Sequence, residues 1–128
     1  MRLFKQLITL VATAQANEDV VESTIYPPAG RLVGIALKVP AMGAAEQTAK
    51  VQLANPNDSS LIYFPDNVIG TSGACAASAT TIGRFSSDAA TAGAFYPLPV
   101  DNTGVKVTIT ASANQAANRI YTLYLLVD

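Results

Sequence analysis

The sequence predicts an all-β fold, a single-domain antiparallel β-sandwich of about eight strands. Three observations lead to this prediction. Apolar and polar residues alternate with a period of two over several short stretches, which is typical of strands with one buried face. Gly, Pro, Asn and Asp cluster between these stretches, where turns are expected. At 128 residues, the chain is long enough to bury one core without a metal or a disulfide.

The first predicted element is an extended N-terminal strand or arm within residues 1–16. As a strand, it would place Phe4, Ile8, Leu10 and Ala12 on one face. The same residues also have the pattern of a short secretory signal, with Ala-Gln-Ala at 14–16 as the cleavage site. A helix is compatible with the spacing as well. The short apolar core and the β-branched residues favour a retained strand.

In the first half of the chain, the strongest alternation covers Arg31–Val39, with Val33, Ile35, Leu37 and Val39 predicted on the core face. Turn chemistry is predicted at 55–58 and 65–67. The stretch Gly70–Gly93 is rich in small residues, which predicts a surface loop or an arm that orders against a neighbouring subunit. The shorter strand candidates are Val20–Ile25, Thr48–Ala54, Ser60–Phe64, Thr80–Phe85 and Ala94–Leu98.

The clearest strand signal lies near the C-terminus, at Val105–Ser112. Its core face would be Val105, Val107, Ile109 and Ala111. The next strand, Arg119–Val127, is apolar on both faces, which indicates a central strand or one covered by an interface. Because a short turn-like segment joins the two stretches, we expect them to form a hairpin.

The composition excludes several kinds of chemistry. The chain has no His, which rules out Ser-His-Asp, Cys-His and His-metal schemes. Its charged residues are 13% of the total and the net charge is −1, so no basic face is expected for nucleic acid or an anionic membrane. Cys75 is the single cysteine, so no intrachain disulfide is possible. We therefore expect no enzyme activity, no cofactor, no metal site and no small-molecule substrate.

Two kinds of residue, acidic and aromatic, are candidates for binding sites. Glu18, Asp19 and Glu22 could serve as paired carboxylates, but strand geometry separates them, and a solvated charged strand is the favoured interpretation. Aspartates in turn-like sequence leave calcium binding as an alternative. The aromatic residues that could form a sugar-binding platform are Tyr63, Phe64, Phe95 and Tyr96, for which core packing is the favoured interpretation.

Short strands such as "GRLVGIALKVP" and "GVKVTITAS", the stretch "GTSGACAASATTIG" and the low charge give the whole chain a resemblance to a class of proteins. It resembles small structural proteins of viruses and phages, namely capsid decoration (cement) proteins and single jelly-roll capsid subunits. The resemblance implies a jelly-roll-like sandwich in a virion. It also implies a homo-oligomer, often a trimer, that contacts other capsid proteins.

A low charge and an apolar fraction of 50% also favour a chain that buries surface against neighbours. The predicted assembly interface consists of Leu3, Phe4, Leu7, Tyr121, Leu123 and Leu125. One alternative is an exported filament or adhesin subunit, extracellular or at the cell surface, with residues 1–16 as a signal or a donor strand. A further alternative is a carbohydrate-binding module.

Overall fold

The computed structural model describes residues 2–13, 18–44, 46–78 and 99–128. Nine strands occur in these ranges. They are β1 (Arg2–Leu10), β2 (Asp19–Ile25), β3 (Gly30–Lys38), β4 (Thr48–Ala54), β5 (Ile62–Thr71), β6 (Cys75–Ser78), β7 (Pro99–Val100), β8 (Val105–Ala111) and β9 (Arg119–Val127).

The strands form two antiparallel sheets that pack as a sandwich. Sheet I has the order β1-β9-β3-β6, with the two-residue β7 also paired to β3, and sheet II has the order β2-β8-β4-β5. The pairs are nested, because β1 pairs with β9, β2 with β8, β3 with β6 and β4 with β5. The chain is thus one long antiparallel ribbon whose successive pairs alternate between the sheets. That strand order is the jelly roll, which confirms the predicted fold class.

The predicted hairpin between the last two strands is wrong. β8 lies in sheet II between β2 and β4, whereas β9 lies in sheet I between β1 and β3. Residues 112–118 therefore cross from one sheet to the other. The alternation of side chains showed which face of each strand is buried, but it carries no information about the partner strand. The prediction that Arg119–Val127 is a central strand is confirmed.

A β-bulge changes the predicted core face of β3. The register with β9 shifts between Leu32 and Gly34. A bulge adds one residue to a strand and reverses the alternation on one side of it. Leu32 is therefore buried, whereas Val33, predicted in the core, is half-buried. Ile35, Leu37 and Val39 are buried as predicted.

The turn predicted at 65–67 is also wrong, because β5 continues through it to Thr71. β5 is an edge strand of sheet II, and its pairing with β4 shifts register between the pairs Val51↔Asn67 and Leu53↔Phe64. Proline is tolerated at such edges and bulges because its missing N–H is not needed for the ladder. The start of the predicted loop, from 70 to 78, contains the end of β5 and all of β6. Its remainder and the strands predicted at 80–85 and 94–98 lie outside the described residues.

The core lies between the two sheets and is made of their inward side chains. In sheet II, the four predicted core residues of β8 are all buried. In sheet I, β9 buries Tyr121, Leu123, Leu125 and Val127. The hydroxyl of Tyr121 donates to the Sδ of Met42 at 3.4 Å, and burial raises the pKa of Tyr121 to about 12. Each sheet thus turns one apolar face to the other.

Candidate assembly surface

The six predicted interface residues divide into a buried group and an exposed group. Tyr121, Leu123 and Leu125 are fully buried in the core of the chain itself, which leaves them no surface for a neighbour. Phe4 is partly buried and packs on that core. Leu3 and Leu7 remain exposed, at 64% and 56%. Of the predicted interface, these two leucines are the side chains available for assembly, and their role in it stays a prediction.

Strand pairing shows which residues of β9 lie opposite the exposed leucines, and Leu7 lies opposite Thr122. Leu3 of β1 lies opposite Leu126 of β9, and Ile120 of β9 lies opposite Thr9, on the outer face of sheet I. Directly opposite residues in an antiparallel pair have Cβ atoms about 5 Å apart. We call Leu3, Leu7, Ile120 and Leu126 the apolar patch. The sequence pattern predicted the two-sided strand 120–127 as part of an interface, and Ile120 and Leu126 are outward residues of that strand, whereas the three residues singled out from it face the core.

The outer face of sheet II has a different character. Across its strands, Glu22 lies opposite Thr108, and Thr108 lies opposite Gln52. The Nζ of Lys106 is 3.5 Å from Oε1 of Glu22. Val20 and Val68, at 53% and 50% exposed, are its large apolar side chains with high exposure. Among strand residues, three large apolar side chains that are at least half exposed lie on the outer face of sheet I (Leu3, Leu7 and Ile120), and two lie on that of sheet II (Val20 and Val68).

The carboxylate of Asp19 is not solvated, contrary to the prediction. Asp19 is the first residue of β2 and is 1% exposed. It accepts a hydrogen bond from the hydroxyl of Thr13 and another from the backbone N–H of Gln115 at 2.6 Å. These two donors, Thr13 first, lower the pKa of Asp19 below its ordinary value. Sequence reasoning missed this because both partners come from loops.

Gln115 extends this contact into a network at one end of the sandwich. Its Nε2 donates to Oε1 of Gln47 at 3.0 Å and to the carbonyl of Ala113 at 2.7 Å. Its Oε1 accepts from Nε of Arg119 at 3.1 Å. A buried polar side chain is stable only when such partners are present. The network ties the 112–118 connection to the start of β2 and to the segment before β4.

The other candidate binding residues are placed away from any common site. Tyr63 and Phe64 are both buried, so neither offers a flat surface to a sugar, and Phe95 and Tyr96 lie outside the described residues. Asp58 and Asp101 accept hydrogen bonds within their own turns, from Ser60 and Thr103. Within the described ranges, no group of three or more Cys, Asp or Glu residues is arranged to hold a metal ion.

Residues 2–13, 18–44, 46–78 and 99–128 contain no helix long and apolar enough to cross a bilayer.

Comparison with known proteins gives structural neighbours of low similarity. The FLHE crystal structure has a TM-score of 0.47 at 9% identity and covers 97% of this chain and 94% of its own. The capsid asymmetric unit of cyanophage Pam1 has a TM-score of 0.44 at 18% identity, with coverage of 98% and 84%. The empty top component of cowpea mosaic virus has a TM-score of 0.47 at 10% identity, with coverage of 100% and 84%. No protein-family model and no curated protein matches the chain. The fold assignment therefore rests on the strand order of the chain itself.

Proposed function

We propose that this chain is a non-enzymatic structural subunit of a virion, a capsid or capsid-decoration protein. In this role it assembles with copies of itself and with other capsid proteins by burying apolar surface. Jelly rolls are a recurrent architecture of capsid subunits, and they are also used by lectins and other proteins. The fold therefore supports the proposal without deciding it, and a surface feature must carry the argument.

The observation that carries the proposal is the group of exposed apolar side chains on the outer face of sheet I. Leu3, Leu7 and Ile120 are each more than half exposed there, and Leu3 lies opposite Leu126. Exposed apolar side chains gathered on one face favour an interaction site, and Lys5 lies within this group, between Leu3 and Leu7. When another protein covers such a face, its apolar surface is removed from water, which lowers the free energy.

The exported-filament alternative would use β1 as a strand donated to a neighbour. In the structure, β1 pairs with β9 of its own chain over all nine residues, from Arg2 to Leu10. It also buries Ile8 and Leu10 in that chain's core. These contacts favour a strand that completes its own sandwich over a donor strand. The cleavage site predicted for a signal falls on residues 14–16, which lie outside the described ranges.

The proposal is tested by placing a charge in the apolar patch. In Leu7→Glu, a carboxylate replaces an exposed leucine, so the fold is retained while burial of the patch becomes costly. Val68→Glu is the matched control, since Val68 has similar exposure on an edge strand of sheet II and lies opposite Lys50. Oligomer mass is measured by size-exclusion chromatography with light scattering, and incorporation by co-sedimentation with particles from the natural source.

We expect Leu7→Glu to reduce association about tenfold or more, and Val68→Glu to leave it unchanged. Equal effects of the two variants would contradict the assignment of the patch. A wild-type chain that neither self-associates nor binds the particles would contradict the proposed function.

A further inference from the structure

The two sheet edges on one side of the sandwich carry opposite charge. In the described residues, β1 pairs with β9 alone and β2 pairs with β8 alone, so each is an edge strand. β1 contains Arg2 and Lys5 and no carboxylate. β2 and the residue before it contain Glu18 and Glu22, both exposed, with no Lys or Arg. A basic edge therefore lies beside an acidic one.

The two edges also run in opposite directions. β1 ends at Leu10, opposite Arg119, and β2 begins at Asp19, opposite Ala111. Residues 112–118 connect these two partner positions, and Asn118 accepts a hydrogen bond from the backbone N–H of Ala12 at 2.9 Å. Both strand ends therefore lie at the same end of the sandwich. β1 runs towards that end and β2 runs away from it.

We propose that two copies of this chain associate side by side, with the β1 edge of each copy pairing antiparallel with the β2 edge of the other. A two-fold axis parallel to the strands preserves strand direction, so it brings β1 of one copy against β2 of the next in the antiparallel sense that a ladder requires. Sheet I of each copy then continues into sheet II of the other. The backbone N–H and C=O groups that an edge leaves open are paired in this arrangement.

Charge selects this pairing over the other edge pairings. A β1–β1 contact would bring Arg2 and Lys5 against the same cations of a second copy, and a β2–β2 contact would oppose Glu18 and Glu22. In the β1–β2 contact, Leu10 of one copy lies level with Asp19 of the other, so Lys5 comes near Glu22, and this happens twice in each dimer. Arg2 and Glu18 lie at opposite ends of the contact, so Lys5 and Glu22 carry the charge complementarity. Opposite charges across strands stabilise a pair, whereas like charges destabilise it. The ion pair between Glu22 and Lys106 is no obstacle, because the Glu22 side chain remains 60% exposed.

Edge charges can also serve to prevent association, and the two roles predict opposite results. If Lys5 and Glu22 hold two copies together, reversing either one weakens the dimer. If these charges instead prevent the edges from pairing, reversing either one does not weaken the association of two copies. This inference rests on the proposed function in requiring self-association. Leu3 and Leu7 of the apolar patch lie on β1 itself, on either side of Lys5, so the edge contact adjoins the patch, whereas Glu22 lies outside it.

The test is a charge swap in the full chain. Lys5→Glu, Glu22→Lys and the double variant are compared with wild type by sedimentation equilibrium, at low and moderate salt. The matched controls are Lys38→Glu and Glu46→Lys, which reverse exposed charges away from both edges. Circular dichroism melting of every variant verifies the fold.

We expect each single reversal to raise the dimer dissociation constant about tenfold, since each acts twice per dimer, and the double variant to restore it. Added salt should weaken the wild-type dimer, and it should weaken the dimers of the two control variants to the same extent. A dimer or trimer unaffected by the single reversals would overturn the edge pairing while leaving the proposed function standing. A wild-type monomer that still binds particles would likewise overturn the edge pairing alone. A wild-type monomer without affinity for particles would contradict both the edge pairing and the proposed function.

Discussion

Leu123→Ala distinguishes a core role from an interface role for β9. Leu123 is fully buried and lies opposite Leu37 in β3, itself fully buried. Truncating a leucine in such a site costs about 3–5 kcal/mol, from lost transfer free energy plus the cavity left behind. With an unfolding entropy of about 2.1 cal/mol/K per residue over 128 residues, or about 0.27 kcal/mol/K, a loss of about 4 kcal/mol lowers Tm by about 15 °C.

The assay is urea unfolding followed by circular dichroism, at a protein concentration where wild type is monomeric. Leu7→Ala is the control, because truncating an exposed leucine should change the unfolding free energy by about 0.5 kcal/mol or less. If Leu123→Ala does not fold, Leu123→Met gives a smaller loss, of about 1.5 kcal/mol or less. An unfolding free energy unchanged in Leu123→Ala, together with weakened association, would refute the placement of Leu123 in the core.

Two further predictions concern a turn and the buried carboxylate. Gly104 has φ of +90°, and a Cβ there would lie 2.6 Å from the carbonyl oxygen of Ile25, so Gly104→Ala should cost about 2 kcal/mol or more by urea unfolding. Gly73→Ala, at φ +78° with open space around it, should cost clearly less, and equal losses would contradict the close approach at Gly104. The pKa of Asp19 is lowered on folding, so its stabilising contribution is present above its ordinary pKa of 3.8 and is lost as pH falls through the lower folded value. The unfolding free energy of Asp19→Asn should therefore depend less on pH than that of wild type in this acid range, and parallel pH profiles would contradict the hydrogen bonding of Asp19.

Local patterns were sufficient to predict the faces of regular strands. The alternation in β8 identified its four core residues, and the limits of β4 and β9 were predicted to the residue. The buried face of a strand is the one from which water is excluded. Alternation of apolar and polar residues with a period of two shows directly which residues lie on that face. The all-β class followed from the same signal.

Strand partners and irregularities could not be predicted from those patterns. The hairpin expected from β8 and β9 failed because residues 112–118 cross between sheets, and the bulge at Leu32–Gly34 moved Val33 out of the core. Both depend on long-range pairing, which periodicity within one strand does not record.

The candidate assembly surface stays a prediction, and its placement depends on the same long-range pairing. The pattern of Arg119–Val127 predicted a central or interface-covered strand. Its inward residues fill the core, and Ile120 and Leu126 lie on the outer face of sheet I with Leu3 and Leu7. The burial of Asp19 depends on Thr13 and Gln115, one of them 96 residues away. Neither arrangement has a signature in a single segment of sequence.

We propose that this jelly roll acts by burying surface against other subunits. The decisive measurement is sedimentation velocity of the unmodified chain at micromolar concentrations, alone and with particles from its natural source. We expect species heavier than the 13.3 kDa monomer, or co-sedimentation with the particles. A strictly monomeric chain that leaves every particle unbound would contradict it.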